Sequence, residues 1–289
     1  MPEQSPPAQV GQAGRPDVGT RLAAGTTGRV VVASTRNAWA DFAAIYTPFT
    51  WTVGWLGRIL AQVIFYALIG RLLGSQEQVR FLYIGAAVAA TAMETLLVVA
   101  TTARERASGT LPLLVASPSR LWPVFLGRSV QWIPSGVATA SVALFVLGPL
   151  FGVSFMVGNG IVAFFVVVLV ALTTYGYALA LAALTLRYVQ LRNWATNLSY
   201  TLMMMVCGVV VPLTFWPVWV QAIGQLFPLT HTLAAIRHLE DGTATAAEIL
   251  TDIGLAVVTA LVWYAIGCAS LERLASSGRR DGSIEFAAD

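Results

Sequence analysis

Residues 161–186 read IVAFFVVVLVALTTYGYALALAALTL and contain no charged side chain. A helix needs roughly 20 consecutive apolar residues to cross the hydrocarbon core of a bilayer, which is about 30 Å thick. This stretch is long enough and apolar enough to do so. It therefore predicts a transmembrane helix.

The rest of the chain has the same character, because 57% of its 289 residues are hydrophobic and only 11% are charged. Soluble domains carry about 25% charged residues, whereas lipid can cover an apolar surface. Further spans are predicted near 51–72, 81–103, 124–150, 198–215 and 249–271. The chain is therefore predicted to be an all-α integral membrane protein with six transmembrane helices. Its net charge of +3 is too small and dispersed to indicate nucleic acid.

The placement of arginine predicts the orientation. Arginines gather before the first span, between spans two and three, between spans four and five, and after the last span. The other loops hold few, and basic residues favour the cytoplasmic side. Both termini are therefore predicted to be cytoplasmic, which requires an even number of spans. A composition rich in alanine, valine, glycine and arginine is typical of a high-GC bacterium and predicts its plasma membrane.

Three segments flank or interrupt the spans. Residues 1–33 are polar and rich in small residues, which predicts a disordered cytoplasmic tail, and residues 273–289 are predicted to be a second tail. Trp39, Phe42 and Tyr46 recur at helical spacing, which predicts an interfacial helix just before the first span. Residues 212–248 are too apolar for an ordinary loop. They predict two short re-entrant helices, with a simple interfacial cap as the alternative. The candidate outer gate consists of Pro212, Phe215, Trp216, Trp219, Pro228 and His231.

The chemistry that the chain can carry is limited. All 17 basic residues are arginine, and a P-loop needs a lysine to reach nucleotide phosphates. The chain is therefore predicted not to hydrolyse ATP. Cys207 and Cys268 both lie in apolar runs and form no metal or disulfide pattern. His231 and His238 share a helix face, but no further ligands are evident, so no metal site is predicted.

Two charges are predicted deep in the spans. Arg58 and Glu94 lie about 10 Å and 13 Å from the predicted cytoplasmic ends of spans one and two. Ionisable groups at such depth usually face the bundle and find a partner. We predict that Arg58 and Glu94 pair between neighbouring spans. The alternative is a polar patch on a transport pathway.

Two longer motifs resemble one known family. Residues 103–118 read ARERASGTLPLLVASP, and residues 211–231 read VPLTFWPVWVQAIGQLFPLTH. Both resemble signatures of type-2 ABC exporter permeases, over about residues 36–272. Ala107 and Pro112 depart from the family pattern, where acidic residues are usual.

The resemblance implies a permease domain over residues 34–272 that is not itself catalytic and holds no cofactor. ATP and Mg would be bound by a separate ABC ATPase subunit, present in two copies, and a second permease subunit, identical or related, would complete the pathway. The loop after span two would be the coupling element that docks on the ATPase, with charged contacts from Glu105 and the arginines. Its residues are Arg104, Glu105, Arg106, Gly109, Thr110 and Pro118.

The resemblance leaves the substrate open. A drug or antibiotic is the first expectation, and lipid-linked polysaccharide or peptide export is an alternative. A secondary transporter driven by an ion gradient would instead use Glu94 or Asp252 as a proton site. An intramembrane enzyme would need clustered acids, histidines or a nucleophile, and the ionisable residues here are scattered. A P-loop ATPase encoded beside this chain would support the exporter.

Overall fold

The computed structural model describes residues 18–117 and 119–281, and within these residues it is helical without any strand. Five helical segments are long and apolar enough to cross a membrane. They are Thr50–Leu72, Gln76–Ala107, Leu121–Phe151, Val157–Leu186 and Ala246–Arg280. The predicted all-helical class is thus confirmed for the described residues, and five of the six predicted spans coincide with helices that are candidate membrane spans.

Eleven α-helices are found in the part of the chain that the structure describes. They are α1 Val18–Ile45, α2 Gly57–Leu72, α3 Gln76–Ala107, α4 Thr110–Ala116, α5 Leu121–Arg128, α6 Trp132–Ser141, α7 Val157–Arg187, α8 Arg192–Val206, α9 Val218–Gly224, α10 Pro228–Asp241 and α11 Ala246–Asp281. A π-helical segment, Thr50–Leu56, precedes α2, and α6 continues through the π-helical Val142–Leu147 and the 3-10 turn Gly148–Phe151.

Helix α1 corrects the prediction of a disordered tail over residues 1–33. The helix begins at Val18, well inside that segment, while residues 1–17 lie outside the described residues. Alanine, leucine and arginine favour helix in the stretch 18–33, and tertiary packing supports the same helix further on. Helix α1 packs closely against α5 at Gly127. A Cβ atom on Gly127 would lie 2.5 Å from the Ser34 Cβ, so glycine makes this contact possible.

The first span begins with a reciprocal cap. The Thr47 hydroxyl accepts a bond from the Thr50 backbone N–H at 3.2 Å, and the Thr50 hydroxyl accepts one from the Thr47 N–H at 2.9 Å. Pro48 follows the capping residue, where its missing N–H costs nothing. Thr47 and Pro48 therefore mark the start of this helix.

Helix α3 is the centre of the bundle. In its most apolar stretch 89% of the residues are buried, compared with 11% in the corresponding stretch of α11. Hydroxyl groups join it to its neighbours. The Tyr83 hydroxyl donates to the Ala143 carbonyl at 2.6 Å, and the Thr95 hydroxyl donates to the Thr174 hydroxyl at 3.1 Å. Polar contacts of this kind hold membrane helices together where lipid removes the hydrophobic driving force.

Helices α7 and α11 approach each other closely through glycine. A Cβ atom on Gly176 would lie 2.6 Å from the Tyr264 ring, and one on Gly267 would lie 3.0 Å from the Ala180 backbone nitrogen. Small residues at such contacts let membrane helices pack at short distance. The last span is therefore fixed against the fourth.

The predicted fifth span, 198–215, is not one helix. Helix α8 is 15 residues long and ends at Val206. Gly208 follows with a positive φ of 80°, a conformation that other residues adopt only at a cost. Pro212 then prevents a return to helix. The chain continues through α9 and α10 instead.

The loops predicted to share one side of the membrane do lie at the same end of the bundle. At one end, Arg106 contacts the Leu186 carbonyl, and Glu272 accepts the Leu121 N–H. At the other end, the Gln76 side chain donates to the Phe151 carbonyl. Successive loops therefore lie at alternate ends of the bundle, as the distribution of arginine predicts. Which end faces the cytoplasm stays a prediction.

Candidate functional site

The segment 104–120, which we call the coupling turn, is folded back on the end of α3. Gly109 has a φ of 70° and lies between α3 and α4, so it reverses the chain where a side chain would strain the backbone. The Thr110 hydroxyl then contacts both the Glu105 carbonyl at 2.8 Å and the Glu105 carboxylate at 2.6 Å. Glycine and threonine thus explain why this motif forms a compact turn.

Glu105, which was predicted to supply a charged docking contact, is buried and ion-paired in this structure, and its docking role stays a prediction. Its carboxylate lies 2.5 Å from the Arg128 guanidinium, and its side chain is only 6% exposed. Arg128 also contacts Asp41 at 3.3 Å. One arginine therefore joins α1, α5 and the end of α3, and Glu105 cannot reach a partner protein without breaking this network.

The far side of the turn is held by α11. The Arg279 guanidinium donates to three backbone carbonyls of the turn, those of Val115, Ser117 and Ser119, at 2.8, 3.0 and 3.1 Å. Its fork of donors suits several acceptors at once. Neither Arg128 nor Arg279 was assigned to this site from the sequence, because both lie outside the motif. Pro118 lies outside the described residues.

The exposed surface of the turn is small and mixed. Within the described residues it consists of Arg104, Ala107, Ser108, Leu113, Ala116 and Arg120. Leu113 is 64% exposed, although an apolar side chain at a polar membrane surface gains by being covered. Arg106 is directed inward to the Leu186 carbonyl. Of the charged residues in the motif, Arg104 is the one that points outward.

Arg58 and Glu94 do not form an ion pair, which corrects the predicted pairing. Glu94 is fully buried, and its carboxylate accepts a hydrogen bond from the Thr139 hydroxyl. Arg58 is exposed and lies over the Trp55 ring, 4.8 Å from its centroid. Rotation about the helix axes therefore turns the arginine outward and the carboxylate inward.

A polar face runs along α2 and α8. The Gln62 amide donates to the Tyr200 hydroxyl at 2.9 Å and links the two helices. Arg58 lies one turn before Gln62, and Asn197 is exposed one turn before Tyr200. The contact between Gln62 and Tyr200 places these two side chains at one depth, and Arg58 and Asn197 each lie about one turn nearer the start of their helices. We call Arg58, Gln62, Asn197 and Tyr200 the polar patch.

The candidate gate residues fall into two groups. Phe215 and Trp219 are 72% and 69% exposed, whereas Trp216 donates its indole N–H to the Met205 carbonyl at 3.0 Å. Pro212 is exposed as well, while Pro228 and His231 are buried. The structure therefore does not gather the six residues into one constriction.

The connection between α9 and α10 lies deep in the bundle. The Trp263 indole donates to the Leu226 carbonyl at 2.8 Å, and the Phe227 ring lies 5.3 Å from that of Tyr177. Both Trp263 and Tyr177 lie well inside the lengths of α11 and α7. The segment 218–241 thus forms a helical hairpin whose tip is far from the bundle end.

The other end of this hairpin is tied to α3. The Arg237 guanidinium lies over the Phe81 ring at 3.8 Å and donates to the Phe81 carbonyl at 3.2 Å. Glu240 pairs with Arg80 at 3.6 Å. Across the described ranges, no cluster of three histidines, cysteines or acids could hold a metal ion.

These features together define a multi-pass helical membrane protein, with a braced turn at one end of the bundle and a helical hairpin at the other. The family model for the ABC-2 type transporter matches residues 37–240. The chain belongs to this family. The family comprises the membrane permease of an ABC transporter, which lacks the catalytic ATPase domain, so this chain is not the ATPase.

Two similar proteins carry the same name, "Probable multidrug ABC transporter permease YbhR". One is from Escherichia coli (strain K12) and the other from Escherichia coli O157:H7. Each is 27% identical over 164 residues, which cover 56% of this chain and 41% of the relative. The match thus spans less than half the length of these relatives.

Proposed function

We propose that this chain is the permease subunit of an ATP-driven exporter that moves a hydrophobic or amphipathic substrate, such as a drug or antibiotic, out of a bacterial cell. Family membership supports the ATPase partner, and the relatives' printed name suggests the substrate. We place the chain in the plasma membrane with both termini in the cytoplasm. The chain needs no cofactor of its own in this proposal.

The observation that carries the proposal is the bracing of the coupling turn. Arg128 ties the turn to α1 and α5, and Arg279 ties it to α11. A push on an element held in this way moves several helices together as a rigid body, which is how transport proteins convert such a movement into opening of a pathway. We propose that each of two ATPase subunits receives one coupling turn through Leu113 and Arg104.

The polar patch supports a second permease subunit. An arginine exposed to hydrocarbon near the middle of a helix costs about 2.5–3.5 kcal/mol on insertion scales. Arg58 avoids this cost if its face meets a second copy or a related chain across a polar pathway. Such residues inside spans commonly mark substrate routes.

The hairpin supports an outer gate. We propose that α8, α9 and α10 together make a fifth crossing, so that the chain crosses six times, and that 218–241 re-enters the outer leaflet. Phe215 and Trp219 would then face the exit, while Pro228 and His231 hold the hairpin in place.

Transport by a reconstituted complex tests the proposal. The chain is purified with its ABC ATPase subunit and placed in vesicles with a fluorescent drug. We expect transport that needs ATP and is abolished by Leu113→Asp, with Leu150→Asp at the opposite end as the matched exposed-leucine control. Transport that follows an imposed proton gradient without ATP would favour the ion-driven alternative.

A further inference from the structure

We infer that the polar patch binds the anionic group, a carboxylate or phosphate, of an amphipathic substrate. The inference rests on the proposed function for the route that the substrate takes, and it adds the chemical class. Its basis is the sign of the charge that the patch presents. Arg58 is exposed at this depth, and no carboxylate of the described residues forms an ion pair with it.

The acid with which Arg58 interacts electrostatically is buried. Glu94 is 0% exposed, and its carboxylate accepts a hydrogen bond from the Thr139 hydroxyl. A substrate that reaches the patch therefore meets the guanidinium and not the carboxylate. A cationic group would be repelled there, since charge interactions are strong where water is scarce.

The neighbouring groups are suited to donate to an anion. A guanidinium offers a planar fork of N–H donors that matches a carboxylate or phosphate. The Tyr200 hydroxyl already accepts a bond from Gln62 at 2.9 Å, so its own proton is directed elsewhere. Asn197 adds an exposed amide. These three donors are provided by two helices.

An apolar side chain beside the patch suits the other half of an amphipath. Phe65 on α2 is 59% exposed and lies two turns after Arg58 on the same face of the helix. An acyl chain or ring system attached to the acid would be covered by this ring and would lose contact with water.

Binding of a matched pair of probes tests the inference. The purified chain in phosphatidylcholine nanodiscs is titrated with 11-(dansylamino)undecanoic acid and with its methyl ester, following dansyl fluorescence. We expect the acid to bind about tenfold more tightly, as a single charge-assisted hydrogen-bonded contact supplies. Arg58→Gln should remove this preference, and Arg58→Lys should keep most of it. Tyr200→Phe should weaken the binding of the acid and leave that of the ester unchanged.

Arg71→Gln is the control, because Arg71 is exposed on the same helix nearer its far end. Equal affinity for acid and ester in the unmodified chain would overturn the inference. So would an equal loss of both probes in Arg58→Gln, or the same loss in Arg71→Gln. Thermal unfolding of each variant checks that it is folded. If Arg58→Gln does not fold, Arg58→Lys and Tyr200→Phe test the inference in its place.

Transport of the same probes by the complex with its ATPase separates this inference from the proposed function. Acid that binds through Arg58 but is not moved by ATP would contradict the exporter and leave the inference standing. ATP-driven movement of acid and ester at equal affinity would support the exporter and overturn the inference.

Discussion

Glu105 shows at the scale of one residue how a charged motif can be structural. It is the acid of an Arg-Glu-Arg sequence at the end of α3, and such residues usually face water. Here its carboxylate is buried against Arg128 and Thr110. Removing one partner from a buried pair leaves the other charge uncompensated, which is more damaging than removing the whole pair.

We expect Glu105→Gln to lower the free energy of unfolding by about 3 kcal/mol, as for other buried ion pairs that lose one member. Substrate-stimulated ATPase activity of the complex should fall with it, because the turn loses its tie to α5. Thermal unfolding and ATPase assays measure the two effects.

Asp41→Asn is the matched control. It removes the other carboxylate that contacts Arg128, but Asp41 is 54% exposed, and exposed ion pairs contribute about 0–1 kcal/mol. Equal damage from Glu105→Gln and Asp41→Asn would show that burial of Glu105 does not strengthen its pair.

At the scale of elements, the sequence predicts most spans but not where a span breaks. An unbroken apolar run such as 161–186 suffices to predict α7, since lipid contact requires it. The end of α8 at Val206 depends on the left-handed Gly208, which a count of apolar residues does not detect. The sequence likewise does not predict that Arg58 and Glu94 point in different directions. The position of a residue along a helix gives its depth in the membrane, but the direction of its side chain depends on how the helices pack around Trp55.

The contact between α7 and α11 gives a prediction for an element pair. Gly267→Ala should lower the free energy of unfolding by about 1–3 kcal/mol, the usual cost of overpacking, because the new Cβ would lie 3.0 Å from the Ala180 backbone. The melting temperature of the purified chain measures this.

Gly254→Ala on the same helix should change the melting temperature little, since nothing lies within 4 Å of the new atom. If both alanines had the same effect, the loss would come from helix propensity or lipid contact and the close approach would play no part.

For the whole molecule, the two ends of the bundle should face opposite compartments. We expect Ser108→Cys to react with a membrane-impermeant maleimide only in inside-out vesicles, and Thr243→Cys only in intact spheroplasts. Both positions are exposed, and the native Cys207 is buried while Cys268 is half-buried. Gel shift of the labelled chain reports the result.

The unmodified chain gives the background from the native thiols, and permeabilised membranes show that both introduced cysteines can react. Labelling of Ser108→Cys from outside the cell would invert the orientation and remove the coupling turn from reach of any cytoplasmic ATPase.

The hydrogen bonds from Arg279 to three carbonyls of the turn have a consequence for interpreting truncated alleles of this gene. A stop codon placed after Leu271 would leave every apolar stretch intact, and the shortened product would still insert and accumulate. Its turn would lack the brace from α11. If the chain is the drug exporter that we propose, a strain with this allele should be as sensitive to the exported compound as a strain that lacks the gene.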